Sequence, residues 1–530
     1  MTQNEKNMQK YLSFLFIIAS FSAFSQNELD ALRYSNDALQ GTARAIGVGG
    51  AMSAVGADLS AAALNPAGLG LYQFSDLNLS FNAQPTTDNV SYLGAKSSAN
   101  ASPFFVQTAG MAINGRIFDK HGDAKESGLK AYNIAFGYQR LDNYRSTYDV
   151  TGYNKYNSMT DYFAQSANGQ VDSTLTNLNY PASAAYQTYA INPISGETNQ
   201  YYGAFPGGGL QQKIELTQSG RKGESYIALA GNVSDKLYIG ARVGFQSIKY
   251  KQNLTISEED INNLHQTYNP NPNSLDFPAR QFYYKQSFED AGSGVNFQFG
   301  IIYRPINSLR IGLSILSPTK VSLNDTYQFS IHHIFTQNGQ DTSLQASSEA
   351  LISNYSIKTP YQINAGAAYL LGKYGFLSAD VNIKDYSTAF LTSDLDRTDP
   401  SYYSYDSENA TLRKYLKMTF NYRLGAEFRL ESWRLRAGTG AMLSPLAESV
   451  SKYQDPTDPT KVVSYNAQKR YFTGGFGYRA KEYYIDAAYV YQTQKGAYTP
   501  YLLTGANNFT PNVITNRITQ NIVVTMGLCF

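Results

Sequence analysis

The chain has 530 residues, a formal net charge of +2 and only 16% charged residues. This balance excludes the strongly basic surface of a nucleic-acid-binding protein. A single cysteine, Cys529, excludes a disulfide framework and a cysteine-based metal cluster. Aromatic residues make up 14% of the chain, with 44 Tyr and 28 Phe. Together with the low charge, they favour many β-strands that each have one apolar and one polar face.

Residues 1–25 have the pattern of a secretory signal peptide. Lys6 and Lys10 precede an apolar run at 11–24, and small residues stand before a predicted cut at Gln26. The apolar run is too short for a membrane anchor. We therefore expect cleavage and export, which in a bacterium leads to the periplasm, the outer membrane or the medium.

Residues 26–75 differ from the rest of the chain in their small side chains. A short helix is predicted at 28–39, and the segment that follows is rich in Gly and Ala, including Gly47, Gly49 and Gly50. Small residues permit tight turns and close approach of two backbones. We interpret this segment as a plug packed inside the fold that follows. The glycines do not indicate a nucleotide loop, because neither a strand–helix–strand unit nor a Gly-Lys-Ser/Thr sequence accompanies them.

Segments of alternating polarity then continue to the C-terminus and predict fourteen strands. They are residues 76–84, 102–115, 130–141, 224–233, 236–251, 281–304, 307–332, 358–371, 374–386, 412–430, 432–444, 468–480, 482–494 and 519–530. The sixth and seventh contain interruptions at 291–294 and 317–318, which we interpret as bulges or bends within one strand.

The connections between these strands are also informative. From the fourth strand onward, short links alternate with long polar ones, and the longest link of all covers 142–223. This rhythm is typical of a transmembrane β-barrel, which has short periplasmic turns and long outer loops. We expect the link at 142–223 to fold over the outer mouth.

Alternation within the strands supports the same fold. Phe420, Tyr422 and Leu424 share one face of their strand, whereas Asn421 and Arg423 share the other. A soluble sandwich shows the same alternation, but the strand lengths, the loop rhythm and the signal peptide favour a barrel in lipid, with its apolar face outward. The sequence therefore predicts an all-β fold: a transmembrane antiparallel β-barrel of about 14 strands at 76–530, with the N-terminal plug inside.

The predicted lumen carries charges of both signs on three neighbouring strands. These residues are Asp380, Lys384, Arg423, Glu427, Arg429, Arg434 and Arg436. We interpret them as a structural network that pairs across the lumen and holds the plug. The alternative interpretation is a path for a ligand carboxylate or an ion.

The sequence shows no constellation typical of an enzyme. The four histidines have no Ser/His/Asp spacing, and no Gly-x-Ser-x-Gly elbow is present. We predict no enzymatic activity and no cofactor. His332 and His333, at the outer end of the seventh strand, are weak candidates for binding haem or a metal.

The run GTARAIGVGGAMSAVGADLSAAALNPAGLG, residues 41–70, resembles the N-terminal hatch of the FadL/TodX family of outer-membrane transporters for hydrophobic compounds. Asn65, Pro66 and Ala67 match the Asn-Pro-Ala motif of that hatch, and Gly68 follows them. Residues 292–318 and the C-terminal 526–530 are also similar to the family, whereas the loops are not.

The resemblance implies a plugged 14-stranded barrel in the outer membrane that takes up long-chain fatty acids or aromatic compounds without an energy source. In the family, the ligand passes from an outer site to a deeper one near the mature N-terminus. It leaves sideways through a gap that a kink in the third strand creates. Here the third strand carries Gly137 but no proline. The implied partners are a hydrophobic ligand and outer-membrane lipid, with no nucleic acid, and the implied state is a monomer.

The tyrosine-rich loops resemble Bacteroidetes-type members, and two other functions occur in that group. One is a PorV-like docking or shuttle barrel in type IX protein secretion. The other is a haem-binding receptor, which here would depend on His332 and His333. A transporter needs a continuous apolar cleft from the mouth to the wall, whereas a docking barrel does not.

Overall fold

A computed structural model gives the structure of the chain. The residues it describes are 27–177, 180–265, 278–337, 339–399, 402–448, 452–455, 458–464, 467–503, 509 and 511–530. The predicted signal peptide at 1–25 lies outside the described residues. Within the described ranges, no helix is long and apolar enough to cross a membrane.

The chain is built mainly of strands. In chain order they are β1 (Asp76–Ala83), β2 (Thr86–Tyr92), β3 (Ala95–Ala101), β4 (Phe104–Arg116), β5 (Leu129–Asn143), β6 (Ser146–Asn154), β7 (Ile191–Pro193), β8 (Tyr201–Gly203), β9 (Leu210–Val233), β10 (Leu237–Glu259), β11 (Ala279–Ile306), β12 (Leu309–Leu316), β13 (Lys320–Gln337), β14 (Gln340–Ser347), β15 (Leu351–Lys358), β16 (Gln362–Leu370), β17 (Gly375–Asp385), β18 (Phe390–Ser393), β19 (Met418–Leu430), β20 (Trp433–Met442), β21 (Lys452–Asp455), β22 (Asp458–Ser464), β23 (Lys469–Arg479), β24 (Tyr483–Tyr498) and β25 (Val513–Cys529). The helices are α1 (Asn27–Ser35), α2 (Ala43–Gly47), α3 (Ala61–Leu64), α4 (Met159–Ala167), α5 (Pro181–Gln187) and α6 (Asp406–Tyr415), with 3₁₀ turns at Pro66–Leu71, Asp172–Thr174 and Tyr386–Thr388.

Fourteen strands close into one antiparallel barrel, as the sequence predicts. The first strand, β1, pairs with the last, β25, and Asp76 lies opposite Cys529. The order around the wall is β1, β4, β5, β9, β10, β11, β12, β16, β17, β19, β20, β23, β24 and β25. Several of these are lengthened at the loop end of the barrel by a second segment, as β13 lengthens β12 and β15 lengthens β16.

Several predicted strand boundaries are wrong, since β10 extends to Glu259 instead of 251 and β25 begins at Val513 instead of 519. The fourth strand, β9, begins at Leu210 instead of residue 224, so the long link shrinks to the residues between β6 and β9. The start of the tenth strand, at 412–415, is instead the last turn of α6. There the charged pair Arg413 and Lys414 lies in the last turn, where the negative end of the helix dipole favours it.

The predicted interruption at 291–294 is also wrong, since β11 keeps its register with both neighbours through this segment. Its glycines have a packing role instead, because a Cβ at Gly292 would lie 2.6 Å from the Leu323 side chain. The second interruption is present. Ser317 and Pro318 separate β12 from β13, and the partner on the far side changes from β16 to β15.

The outer surface of the wall changes character along the strands. Near the short turns, the outward side chains are apolar and exposed. On β10 and β11 they include Ile239, Phe245, Val295, Phe297, Phe299 and Ile301. Farther along the same strands the outward residues are polar, with Ser247, Lys249 and Lys251 on β10. The barrel thus has an apolar belt near its turn end and a polar extension above it.

The interior of this extension is apolar and is filled by the loops. Phe163 of α4 packs between Phe282 and Tyr284, with ring centroids 6.0 and 5.6 Å apart. Ser158, which caps α4, donates a 2.5 Å hydrogen bond to Glu258 of β10. The link between β6 and β9 therefore forms a dome over the loop end.

The N-terminal segment occupies the lumen, and its backbone lies against glycines of the wall. A side chain on any of these would clash with plug backbone or with the side chain of Asn65. The glycines are Gly240, Gly300, Gly312, Gly425 and Gly438. Three cross-strand neighbour pairs include them, namely Gly240 with Gly300, Gly312 with Gly366 and Gly425 with Gly438. We call the five glycines the glycine girdle.

A single methyl group in the glycine girdle should displace the plug. The Gly438→Ala variant places its Cβ against Gly49, and overpacking of this kind costs about 1–3 kcal/mol. Gly474 on the neighbouring strand has open space at its Cβ position, so Gly474→Ala is a matched control. We expect a lower unfolding temperature in detergent and faster proteolysis of residues 27–72 for Gly438→Ala only. Equal behaviour of the two variants would contradict the packing role.

Candidate functional site

The centre of the plug is the turn at Asn65, which is fully buried. Its amide nitrogen donates to the carbonyls of Ser53, at 2.8 Å, and of Ile301 on β11, at 3.2 Å. Its side-chain oxygen accepts a hydrogen bond from Ala67 N at 3.1 Å and so caps the 3₁₀ turn that Pro66 begins. One side chain thus joins two parts of the plug to the wall, and Gly68 closes the turn against Gly56.

Plug carbonyls receive hydrogen bonds from side chains of the wall, which replace the water that burial excludes. Ser314 donates to Leu64 O at 2.7 Å. Thr473 donates to Gly47 O and Tyr471 to Gly49 O, each at 3.0 Å. Gly49 and Gly50 have positive φ angles of 66° and 75°, a conformation that favours glycine.

Glu427 is the centre of the charged group in the lumen. It accepts from Arg436 at 2.9 Å, from Arg429 at 3.1 Å and from the plug residue Arg44 at 3.1 Å. Arg436 also contacts Asp486 at 2.7 Å. Both Glu427 and Arg436 are buried. Arg479 of β23 also contacts Asp486, at 3.2 Å, so the plug supplies one cation to a network that spans four strands.

The remaining predicted lumen residues have separate positions. Asp380 accepts a 2.9 Å hydrogen bond from the plug amide of Ser53. Arg423 faces the cavity described below. Arg434 donates to the carbonyls of Glu431 and Trp433 at the short turn, and among the described residues it forms no ion pair with Glu427.

Asp37, which the sequence does not single out, joins the plug to two buried lysines. It lies 2.7 Å from Lys222 of β9 and 3.4 Å from Lys384 of β17, and it accepts a 3.1 Å hydrogen bond from Gln362. Burial would raise the pKa of Asp37, but the two lysines hold it well below its ordinary value. Asp37 therefore stays ionised and balances two buried cations.

Above the plug lies a lumen cavity of about 150 Å³. Five cationic side chains line it against two carboxylates, Asp37 and Glu224. The cations are Lys222, Arg242, Lys384, Arg423 and Lys469. Buried atoms there without a hydrogen-bond partner among the described residues include Nε of Arg242 and of Arg423. Apolar side chains complete the lining, among them Leu32, Leu141, Leu316, Met442 and Leu446. The cavity thus offers positive charge beside apolar surface.

The third strand of the wall is irregular beside this cavity. The register between β5 and β9 shifts between Arg140 and Asp142. The carbonyl of Leu141, at the shift, accepts a 2.9 Å hydrogen bond from the plug amide of Ala38. Pairing between β5 and β4 ends at Gln139 opposite Thr108.

Beyond that point the structure gives no backbone ladder between β4 and β5. The Gln107 side chain donates to Arg140 O at 3.3 Å, and the Arg140 guanidinium lies 4.4 Å from the ring centre of Phe105. Side chains alone therefore close this part of the wall.

Helix α1 carries the start of the plug into a group of buried acids. Its Tyr34 donates to Asp290, and Asp30 pairs with Arg33 and accepts from Tyr355 at 3.1 Å. Burial, Glu408 and Asp30 raise the pKa of Glu28 to about 8.

The two histidine candidates do not face one another. His333 points inward, is 1% exposed, and donates from Nδ1 to Thr188 O at 2.9 Å. His332 points outward and stacks on Tyr283, with ring centroids 5.7 Å apart. Neighbouring residues of a strand point to opposite faces, so the pair does not form one binding site. Within the described part of the chain, no group of three or more His, Cys, Asp or Glu is placed to hold a metal ion.

Replacing Asn65 and Pro66 together should open the plug. An Asn65→Leu, Pro66→Ala variant loses the three side-chain hydrogen bonds of Asn65. We expect leak of small polar solutes into liposomes, and sensitivity of cells to large antibiotics, to rise several-fold. Asn100→Leu, at an exposed site on β3, is the control. Unchanged leak in the double variant would contradict a gating role for this turn.

Raising the pH should loosen α1. Burial raises the pKa of Asp30 to about 6, although Arg33 opposes the shift, and the pKa of Glu28 is about 8. The charges that face these groups also include Asp290, Asp325 and Glu408.

A carboxyl group with a raised pKa binds its proton more tightly in the plugged state. Its contribution is therefore complete below its ordinary pKa and is lost as the pH rises through the raised one. We expect proteolysis of α1 to accelerate between about pH 5 and pH 8. Glu28→Gln should flatten that profile, whereas exposed Glu126→Gln should not. A flat profile in the unaltered protein would contradict the assignment.

The chain has no match among family models or curated proteins. Among solved structures, it is similar to a FadL homologue from Pseudomonas aeruginosa, with 13% sequence identity, coverage of 93% of this chain and 99% of that chain, and a TM-score of 0.52. It is also similar to the toluene transporter TodX of Pseudomonas putida, with 12% identity, 93% and 98% coverage and a TM-score of 0.49. The toluene transporter TbuX of Ralstonia pickettii follows with 14% identity, 93% and 99% coverage and a TM-score of 0.46. Identities this low establish the fold alone, and only the FadL homologue carries that argument. The chain has the fold of the FadL family, a closed 14-stranded antiparallel β-barrel.

Proposed function

We propose that this protein is an outer-membrane transporter for passive uptake of hydrophobic small molecules that carry a carboxylate, such as long-chain fatty acids. The observation that carries the proposal is the lumen cavity, which combines an excess of cations with apolar surface beside the irregular third strand. The resemblance of the plug to the FadL/TodX hatch supports transport of hydrophobic compounds.

The apolar outer surface of the barrel wall supports a location in the outer membrane. Exposed apolar side chains form a belt around the turn end of the barrel, and Phe299 is 65% exposed there. Leaving such a belt in water is unfavourable, whereas a bilayer covers it. The polar extension and the dome would then project outward from the cell.

The charge of the cavity selects among hydrophobic ligands. An apolar tail gains about 0.8 kcal/mol for each CH₂ that it buries, so a long chain supplies affinity for any apolar lining. Arg423 and Lys469 add a place for an anionic head group. Their charges act on Asp380 and Asp142, but neither cation forms an ion pair among the described residues, whereas the other cations of the cavity pair with Asp37 and Glu224. A hydrocarbon without a charged group makes no use of these residues.

The exit we propose is the stretch between β4 and β5 that lacks a backbone ladder. It begins beside Leu141, which lines the cavity, and it ends near Phe104, which is 70% exposed and stacks on Phe81. Because the plug amide of Ala38 bonds to Leu141 O, movement of the plug would act directly on this wall. A sideways exit of this kind spares an apolar tail from crossing water.

Binding of matched ligands tests the proposal. We expect the purified protein to bind oleate more tightly than oleyl alcohol or toluene. Hydrogen bonds to charged groups contribute about 1.5–3 kcal/mol each. The Arg423→Gln, Lys469→Gln variant should therefore bind oleate at least about tenfold more weakly, with oleyl alcohol unaffected.

Lys495→Gln, at an exposed site on β24, is the control and should leave both affinities unchanged. Equal affinity for oleate and oleyl alcohol in the unaltered protein would exclude the carboxylate site. Absence of binding for all three compounds would exclude the transport function as a whole.

A further inference from the structure

The outer wall carries two pairs of like charges directly opposite each other on neighbouring strands. Lys320 of β13 lies opposite Lys358 of β15, and Arg221 of β9 lies opposite Lys249 of β10. All four side chains are exposed and lie on the outward face. Like charges at directly opposed positions destabilise a sheet. We call these four residues the cation rim.

Other outward pairs on the same strands are complementary. Ser322 and Ser356 share a hydrogen bond at 3.1 Å, and Asn324 donates to Asn354 at 2.8 Å. Lys251, one outward position above Lys249, forms an ion pair with Glu289. These three pairs are matched in polarity or in charge, in contrast to the cation rim.

No acid neutralises the cation rim in the part of the chain that the structure describes. The nearest outward carboxylates have other partners, since Glu289 pairs with Lys251 and Asp394 accepts a 2.5 Å hydrogen bond from Ser356. Among the described residues, none of the four cations has an ion pair. Their charge is therefore available to an anion from outside the chain.

The cation rim lies just above the apolar belt. On β10, Phe245 is the last apolar outward residue, and Lys249 stands two outward positions beyond it. On the β12–β13 side, Ile315 ends the belt and Lys320 follows after Ser317 and Pro318. This is the level at which lipid head groups meet a barrel whose belt lies in the hydrocarbon.

The strand between the two pairs leaves room for a head group. On β11 Ala291 lies opposite Lys249, Ser293 follows on the same face, and Val295 lies opposite Lys320. The two pairs are thus offset by four residues along β11, and the outward residues between these levels, Ala291 and Ser293, are small.

We propose that the cation rim binds the phosphate groups of a phosphorylated lipid of the outer leaflet, of the lipid A type. The inference rests on the outer-membrane location in the proposed function but not on the transported ligand. Bound phosphates would convert two repulsive pairs into ion pairs and anchor the polar extension on the membrane surface. Each Lys or Arg near an anionic membrane surface strengthens binding about fivefold.

The test measures lipid retention and stability together. The protein is purified, stripped of lipid and placed in nanodiscs that contain lipid A, dephosphorylated lipid A or phosphatidylethanolamine alone. Two double variants are tested, Lys320→Gln with Lys358→Gln and Arg221→Gln with Lys249→Gln. The control is a third double variant, Lys96→Gln with Lys285→Gln, which removes two other exposed lysines.

We expect the unaltered protein to retain lipid A but not its dephosphorylated form, and each cation-rim variant to retain it about 25-fold more weakly. Unfolding temperatures should cross over. Without lipid A the cation-rim variants should be more stable than the unaltered protein, because repulsion is relieved, and with lipid A they should be less stable.

Three results would overturn the proposal. They are equal lipid A retention by all variants, retention of dephosphorylated lipid A equal to that of lipid A, and displacement of lipid A by free inorganic phosphate at the same concentration as the lipid. Oleate binding in the same nanodiscs separates this inference from the transport function. If the cation-rim variants bind oleate normally, loss of lipid A retention concerns the rim alone.

Discussion

The structure depends on the direct contact between the plug backbone and the inner wall of the barrel. That contact is possible only where the wall has no side chain, and the glycine girdle provides such positions on neighbouring strands. Once the two backbones meet, every plug carbonyl that faces the wall needs a donor, which residues such as Ser314 and Thr473 supply. The polar lining of the barrel is therefore complementary to this particular plug rather than to water.

Charge adds a second level of complementarity between the plug and the wall. Arg44 brings a cation to Glu427, and Asp37 brings an anion to Lys222 and Lys384. Breaking a buried pair costs more than its formation gains, because the remaining charge has lost its hydration. Plug position, cavity charge and the carbonyl of Leu141 are consequently linked, since Asp37 and Ala38 are neighbours in the chain. A ligand that neutralises the cavity would act on all three.

The outward and inward faces of the wall each change in polarity along the strands. Near the turns, the outward face is apolar and the inward face holds the plug. In the extension this order reverses, because the outward face is polar and the inward aromatic residues form the core of the dome, as with Phe163, Phe282 and Tyr284. The cation rim lies where one regime gives way to the other. A single strand such as β10 thus passes from plug contact through the cation rim to the dome core within 23 residues.

The sequence alone determined the strand count, the plug and the apolar outward face, because these follow from local alternation and from the concentration of small residues at 41–70. It also indicated Asn65, whose side chain caps its own turn. It did not reveal Asp37, Lys222 or the irregularity at Leu141, since each acquires its meaning from residues far away in the chain. Arg434 shows the same limit, because it alternates like Arg436 but lies at a turn. Alternation fixes which face a side chain takes, whereas strand register and plug position, which only the closed barrel sets, decide what it meets there.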